Sequence, residues 1–196
     1  GFNPGSMKYK SEYRFDNINP KNSIGLLAPG NLDDMIEYAK TYKSKGIAYI
    51  CDPGQSITAW EGKALAEWID GSMILISNDY ELEMITKKTG KSKKELLKLT
   101  KTIITTLGEK GSLVSNSEFD MQIPSAKVDN VLDPTGAGDA YRAGLLKGIV
   151  TGKDIKTAAK IGTVAAAYAI ENYGTQEHHY TYEEFVGRYK GNFGGM

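Results

Sequence analysis

From Ile24 onward, short apolar runs alternate with stretches in which apolar residues recur every three or four positions. Ile24 to Ala28 reads as a strand, and Leu32, Met35, Ile36 and Ala39 are spaced for one face of a helix. Pro29 and Gly30 mark the turn between them, and Asn31 is placed to cap the helix. The unit repeats as strand 47–51, helix 59–69, strand 73–77, helices 80–88 and 92–99, and strand 102–107. Strands alternating with helices of this length need crossover connections, so the pattern predicts a doubly wound α/β fold, a mostly parallel sheet with helices on both faces.

From Ser112 the pattern changes to short β-like pieces, 112–115, 120–123 and 127–132, broken by Asn116 and Pro124, which predicts an antiparallel edge or hairpin. A Gly-rich loop at 135–138, a helix to about Val150, an Ala-rich helix over 154–172 ending at Gly174, and an amphipathic helix over 181–189 follow. Residues 1–22 are rich in Asn, Lys, Tyr and Ser and have weak periodicity, as in a loose arm. No tandem repeat or low-complexity linker divides the chain, so 1–196 reads as a single α/β core.

Charge and length narrow the classes of function. The chain has 196 residues, 24 Lys+Arg against 24 Asp+Glu, and 40% apolar residues. That length suits one domain, and the balanced charge supplies no basic excess to displace counterions from a nucleic acid. The longest strongly apolar stretch, Val164 to Ile170, falls far short of the roughly 20 residues that cross a bilayer, so a cytoplasmic protein without a membrane partner is expected. Cys51, the single cysteine, lies in the apolar run 47–51 and reads as a buried core thiol in a reducing compartment.

The segment richest in chemistry is Asp133-Pro134-Thr135-Gly136-Ala137-Gly138-Asp139, between a strand and a helix. Its glycines allow close approach of a ligand to the backbone, and the free N–H groups of a helix start favour an anion such as phosphate. Asp139, in the first turn, is placed to take a proton from a hydroxyl that attacks phosphorus. The plainer reading is a glycine turn with an acidic residue that favours the helix dipole. Asp133 is either a charge near a cation or a turn residue before Pro134.

The run Asp133 to Leu146 resembles the C-terminal signature of the ribokinase-like (PfkB) carbohydrate and nucleoside kinase family. Two more blocks stand in the family's order. Ser77-Asn78-Asp79-Tyr80-Glu81 is similar to its Asn-x-x-Glu motif, and Thr106-Leu107-Gly108-Glu109-Lys110-Gly111 to its Thr-Leu-Gly-x-x-Gly nucleotide turn. The resemblance implies that Asp139 is the catalytic base and that the amides of Gly136, Ala137 and Gly138 form an anion hole for the transferred phosphoryl group. It also implies that Thr106, Gly108 and Gly111 contact ATP and that Asn78 and Glu81 help place Mg²⁺ and the phosphates, Glu81 through water. Asp133 matches a position associated with a monovalent cation such as K⁺. For Asn78 and Glu81 the plainer reading is a capped helix start, and for 106–111 a turn between strands.

Phe2-Asn3-Pro4-Gly5-Ser6-Met7, Asp52-Pro53-Gly54-Gln55 and Tyr173-Gly174-Thr175-Gln176-Glu177-His178 are similar to segments of the family's adenosine-kinase-like branch, which adds Gly174 to the nucleotide-binding residues. The resemblance implies an ATP-dependent kinase whose small-molecule acceptor is first the 5′-hydroxyl of adenosine, with a sugar as the alternative; a homodimer is compatible with it. It also implies that the chain corresponds to the later part of a family member, with residues 1–22 a remnant of the lid and acceptor side. The family's N-terminal portion and lid, on the order of 100 residues, are then largely absent. A nucleotide-binding fragment without turnover is the reading of a different class. The adjacent His178 and His179 read as a solvated loop, since neighbouring imidazoles diverge and no Cys or further His joins them.

Overall fold

A computed structural model describes residue 3 and residues 5–195. Phe2 and Pro4 of the Phe2 to Met7 segment lie outside the described residues. The chain forms two compact units, one running to Thr105 with Ser115–Phe119, the other Thr106–Val114 and Asp120 onward.

In the first unit the predicted alternation is present as β1 (Ile24–Leu27), α1 (Leu32–Lys45), β2 (Ala48–Cys51), α2 (Gly62–Ile69), β3 (Ile74–Asn78), α3 (Asp79–Thr89), α4 (Lys93–Leu96) and β4 (Thr102–Thr106, whose last residue belongs to the second unit). The strands lie side by side in that order, with β1 parallel to β2 (Ile24 opposite Ala48) and β2 parallel to β3 (Ile50 opposite Ile74). Asn31 caps α1 by accepting from the Asp33 and Asp34 N–H groups, and Gly46 ends it in the left-handed region. Alternate strand residues Leu27, Tyr49, Cys51, Leu75 and Ile103 form one core with Met35, Leu65, Trp68, Ile85 and Leu96 from the helices. Cys51 is fully buried in it, and burial raises its thiol pKa.

The helix expected over 59–69 begins only at Gly62, because Trp60 leaves a preceding 3₁₀ turn in an extended conformation and is buried. The arm docks on α1: the Ser11 N–H donates to Asp34 Oδ2 at 2.8 Å, and Phe15 packs edge-on against Tyr38 and Tyr42. The arm is therefore ordered by α1 beyond what its weak periodicity implied.

The second unit holds β5 (Ser112–Ser115, whose last residue belongs to the first unit), β6 (Asp120–Ile123), α5 (Ala137–Val150), α6 (Ile155–Ile170) and α7 (Tyr182–Phe193). β5 and β6 are neighbours, and a four-residue connection between neighbours is a hairpin, so this pair is antiparallel as predicted. Helices α5 and α6 pack so closely that a Cβ on Gly144 would lie 2.8 Å from the Gly162 Cα. The strand expected over 127–132 is absent. Its backbone bonds elsewhere: the Lys127 N–H to Asn192 Oδ1, the Asp129 N–H to Glu171 Oε1, and the Leu132 N–H to the Ile170 carbonyl. Among the described residues no helix is long and apolar enough to cross a membrane.

Candidate active site

The Thr106 to Gly111 turn is a short 3₁₀ bend closed by the Leu107 N–H on the Gly111 carbonyl, 2.8 Å. Gly111 is required there by space as well as by its φ of 84°, since a Cβ would sit 2.0 Å from the Ile123 carbonyl oxygen. The Gln122 amide and the Ser125 hydroxyl donate to the Lys110 and Glu109 carbonyls and fix the turn from outside.

Helix α5 begins in an unusual way. Its N-cap is Gly136 at φ 84°, and no side chain caps it. The Ala137 N–H donates to the Pro134 carbonyl at 3.2 Å, while those of Gly138 and Asp139 donate to no protein group among the described residues. A Cβ placed on Gly138 would meet nothing within 4 Å. The start of the helix thus carries free donors, with open space beside Gly138, which favours an anion.

Both features border one cavity of about 510 Å³ within the second unit. Thr106, Gly108, Gly111, Ala137 and Gly138 line it, and Val128, Val131, Ala166, Ala167 and Ile170 supply an apolar wall. Tyr141 lines it too; its hydroxyl is 2.9 Å from Ser112 Oγ, and burial pushes its pKa up to about 12, so the phenol stays neutral. A polar edge with free N–H groups and an apolar wall suits a ligand with a charged end and a flat apolar end.

Gly136 and Asp139 flank this edge. Asp139, whose side chain is 70% exposed, is paired through Oδ1 with the guanidinium of Arg142, one helical turn on. Asp133 accepts from the Thr135 N–H at 2.9 Å and from the Gly174 N–H at 3.1 Å. Hydrogen bonds from Thr135, then from Gly174, hold its carboxyl below the ordinary carboxylate range. Asp133 therefore ties the approach to α5 to the loop of Gly174.

Asn78 and Glu81 belong to the first unit, where they form a closed capping box at the start of α3. Asn78 Oδ1 accepts from the Glu81 N–H at 2.7 Å, and Glu81 Oε2 accepts from the Asn78 N–H at 2.8 Å. The second carboxylate oxygen of Glu81 takes no part in that box. No group of three or more His, Cys, Asp or Glu that could hold a metal occurs among the described residues. This donor set fits Mg²⁺ only where phosphate oxygens and water supply most of its ligands, the usual habit of that ion. Asp133 already accepts from Thr135 and Gly174, so a monovalent cation beside it would take most of its oxygen ligands from other groups.

Sequence reasoning missed Arg142 and the apolar wall. The acid–base spacing of three residues on a helix was a usable signal for Arg142. Ala166 and Ala167 carried none, because an Ala-rich helix face reads the same whether it meets a core or a hollow.

Residues 7–181 match the pfkB family carbohydrate kinase. A nucleoside kinase of Methanocaldococcus jannaschii is 31% identical over 185 residues, 94% of this chain and 60% of the relative. A crystal structure of Methanocaldococcus jannaschii nucleoside kinase superposes with a TM-score of 0.86 at 28% identity, covering 96% of this chain and 61% of that one. The Burkholderia thailandensis nucleoside kinase in complex with ADP-inosine gives 0.85 at 32% identity, covering 87% and 54%. The chain therefore spans roughly three fifths or less of the length of these relatives, and its fold is the ribokinase-like α/β fold.

Proposed function

Since the chain belongs to the pfkB family of carbohydrate kinases, we propose that it is the nucleotide-binding and phosphoryl-transfer part of an ATP-dependent kinase acting on a nucleoside. The observation that carries this reading is the uncapped start of α5, with free Gly138 and Asp139 N–H groups beside an apolar-walled cavity of about 510 Å³. The 7–181 match runs through both compact units, which supports taking 1–196 as one kinase core.

In this reading the nucleotide base lies along Val128, Val131 and the Ala166–Ala167 wall, while Thr106, Gly108, Gly111 and Gly174 fix its position. Asp139 takes the proton of the acceptor hydroxyl; the hydroxyl oxygen bonds to the γ-phosphorus as the bond to the ADP oxygen breaks. Charge developing on the transferred group meets the free Gly138 and Asp139 amides and Gly136, with Ala137 joining if its bond to the Pro134 carbonyl yields. Glu81, through water, and Asn78 would hold Mg²⁺, which supplies charge neutralisation on the phosphates when bound; Asp133 would hold K⁺.

The relatives support a nucleoside as the class of acceptor. Their names favour a nucleoside, and one was solved with inosine. The 5′-hydroxyl of adenosine is the acceptor we propose, with inosine as its nearest rival and ribose as the sugar alternative. A second reading is a nucleotide-binding part without turnover. Coupled ADP release from ATP and Mg²⁺, with adenosine, inosine and ribose in turn, separates these, using both this chain and the full-length protein. Asp139→Asn in the active form should lower kcat by about 10²–10⁴-fold while leaving ATP affinity within about threefold. Full turnover by that variant would refute the assignment of the base.

A further inference from the structure

We propose that Arg142 is a positioning residue for the Asp139 base. The inference rests on the reading of Asp139 as that base. Its ground is a difference within one pair: the Asp139 side chain is 70% exposed, whereas that of Arg142 is only 14% exposed.

An exposed carboxylate on a helix start samples several rotamers, and an ordinary surface ion pair does little to stop it. Here the cation is the fixed member. A guanidinium is planar, permanently charged and rigid in its donor geometry, and this one is held largely within the protein. It contacts Asp139 through Oδ1. One carboxylate oxygen is thereby committed to the protein, and Oδ2 is left to accept the proton of the acceptor hydroxyl. The free Gly138 and Asp139 amides are on the same helical turn. Fixing the carboxylate therefore fixes the base relative to the anion site, the geometry that an in-line transfer demands. Arg142 touches neither nucleotide nor acceptor in this account, so its removal should cost rate rather than binding.

The test is a cycle in the full-length enzyme, using whichever of adenosine, inosine or ribose turns over. Arg142→Gln and Arg142→Lys are each made alone and with Asp139→Asn, and kcat is read separately from KM for ATP and for the acceptor. Arg142→Gln should lower kcat by roughly 10- to 100-fold, with both KM values within about threefold. Arg142→Lys keeps the charge and should recover a substantial part of the rate. In the Asp139→Asn background neither change should cost more than about twofold, because the group it positions is gone. Were Arg142→Gln not to fold, Arg142→Lys in both backgrounds carries the same non-additivity test. An unchanged kcat, a loss that appears mainly as a raised KM, or an undiminished loss in the Asp139→Asn background would each overturn the proposal. Full activity of Asp139→Asn alone is a different result and removes the base assignment on which this inference stands.

Discussion

Two helices in this chain start just after a segment that resembles a kinase motif, and they start in opposite ways. Helix α3 opens on Asn78 with a complete capping box, so its first donors are satisfied by its own side chains. Helix α5 opens on Gly136 with no side-chain cap, and the Gly138 and Asp139 N–H groups are left over. A side-chain cap is worth about 1 kcal/mol to a helix, and α5 goes without one: at φ 84° with Thr175 Cβ 3.1 Å from a notional Cβ, position 136 admits glycine and not a capping Asn or Ser. The lesson is that the same physical need, for donors at a helix start to find acceptors, is met by the fold in one place and left for a ligand in the other.

Of the changes that bear on this contrast between helix starts, filling the open one should have the largest effect. Gly138 lies inside α5, has no positive φ, and has nothing within 4 Å of a notional Cβ. The protein itself therefore tolerates a methyl group there, and helix propensity favours alanine over glycine by up to about 1 kcal/mol. Gly138→Ala should leave thermal stability unchanged or slightly raised. ATP affinity should nevertheless fall by about tenfold or more, because the methyl enters the space next to the free amides. Calorimetric ATP titration of the variant, with a melting curve beside it, decides. Unaltered affinity would mean that the uncapped start faces no phosphate, and the contrast with α3 would lose its functional meaning.

The opposite substitution is made at the closed start. Asn78→Ala removes the acceptor of the Glu81 N–H and should cost about 1 kcal/mol of unfolding free energy, measured by denaturant titration. Asn78→Asp caps as well as asparagine, so it should hold the stability while adding a negative charge. If Asn78 also faces the phosphates, Asn78→Asp lowers turnover with stability kept. If it only caps, turnover is unchanged, and the resemblance of 77–81 to the family motif carries no chemistry at this residue.

How far the sequence announced this arrangement depends on the range of the forces involved. The βα units of the first half were legible because strand and helix periods differ and because Asn31 caps through residues only two and three positions away. The strand predicted over 127–132 failed because its backbone partners are Asn192, Glu171 and Ile170, tens of residues away, and because Val128 and Val131 line a cavity instead of alternating across a sheet. For the site, the Gly-rich start of α5 was visible as a motif, yet the role of each glycine was not. Only the fold distinguishes Gly111, which a carbonyl 2.0 Å from its Cβ position makes necessary, from Gly138, which nothing in the protein constrains.

The smallest expected effect concerns how α5 keeps its start open. The carboxylate on the approach to the turn is that of Asp133, three residues before the cap; it accepts from Thr135 and from the Gly174 N–H, so it braces the approach without covering the helix donors. Those bonds favour the ionised form and lower its pKa. A carboxyl depressed in the folded state contributes its stabilisation above the ordinary value of about 3.9 and loses it as pH falls through the lower folded value. A carboxyl ¹³C titration should therefore place the Asp133 midpoint below ~3.9. The Gly174 amide resonance should move with the same midpoint, and Asp133→Asn should abolish that movement. A midpoint at the ordinary value would show that the brace does not exist in solution. The open start would then have to be held by the Ala137 N–H on the Pro134 carbonyl alone, a single neutral bond at 3.2 Å, and a ligand at Gly138 would be expected to reshape the turn on binding.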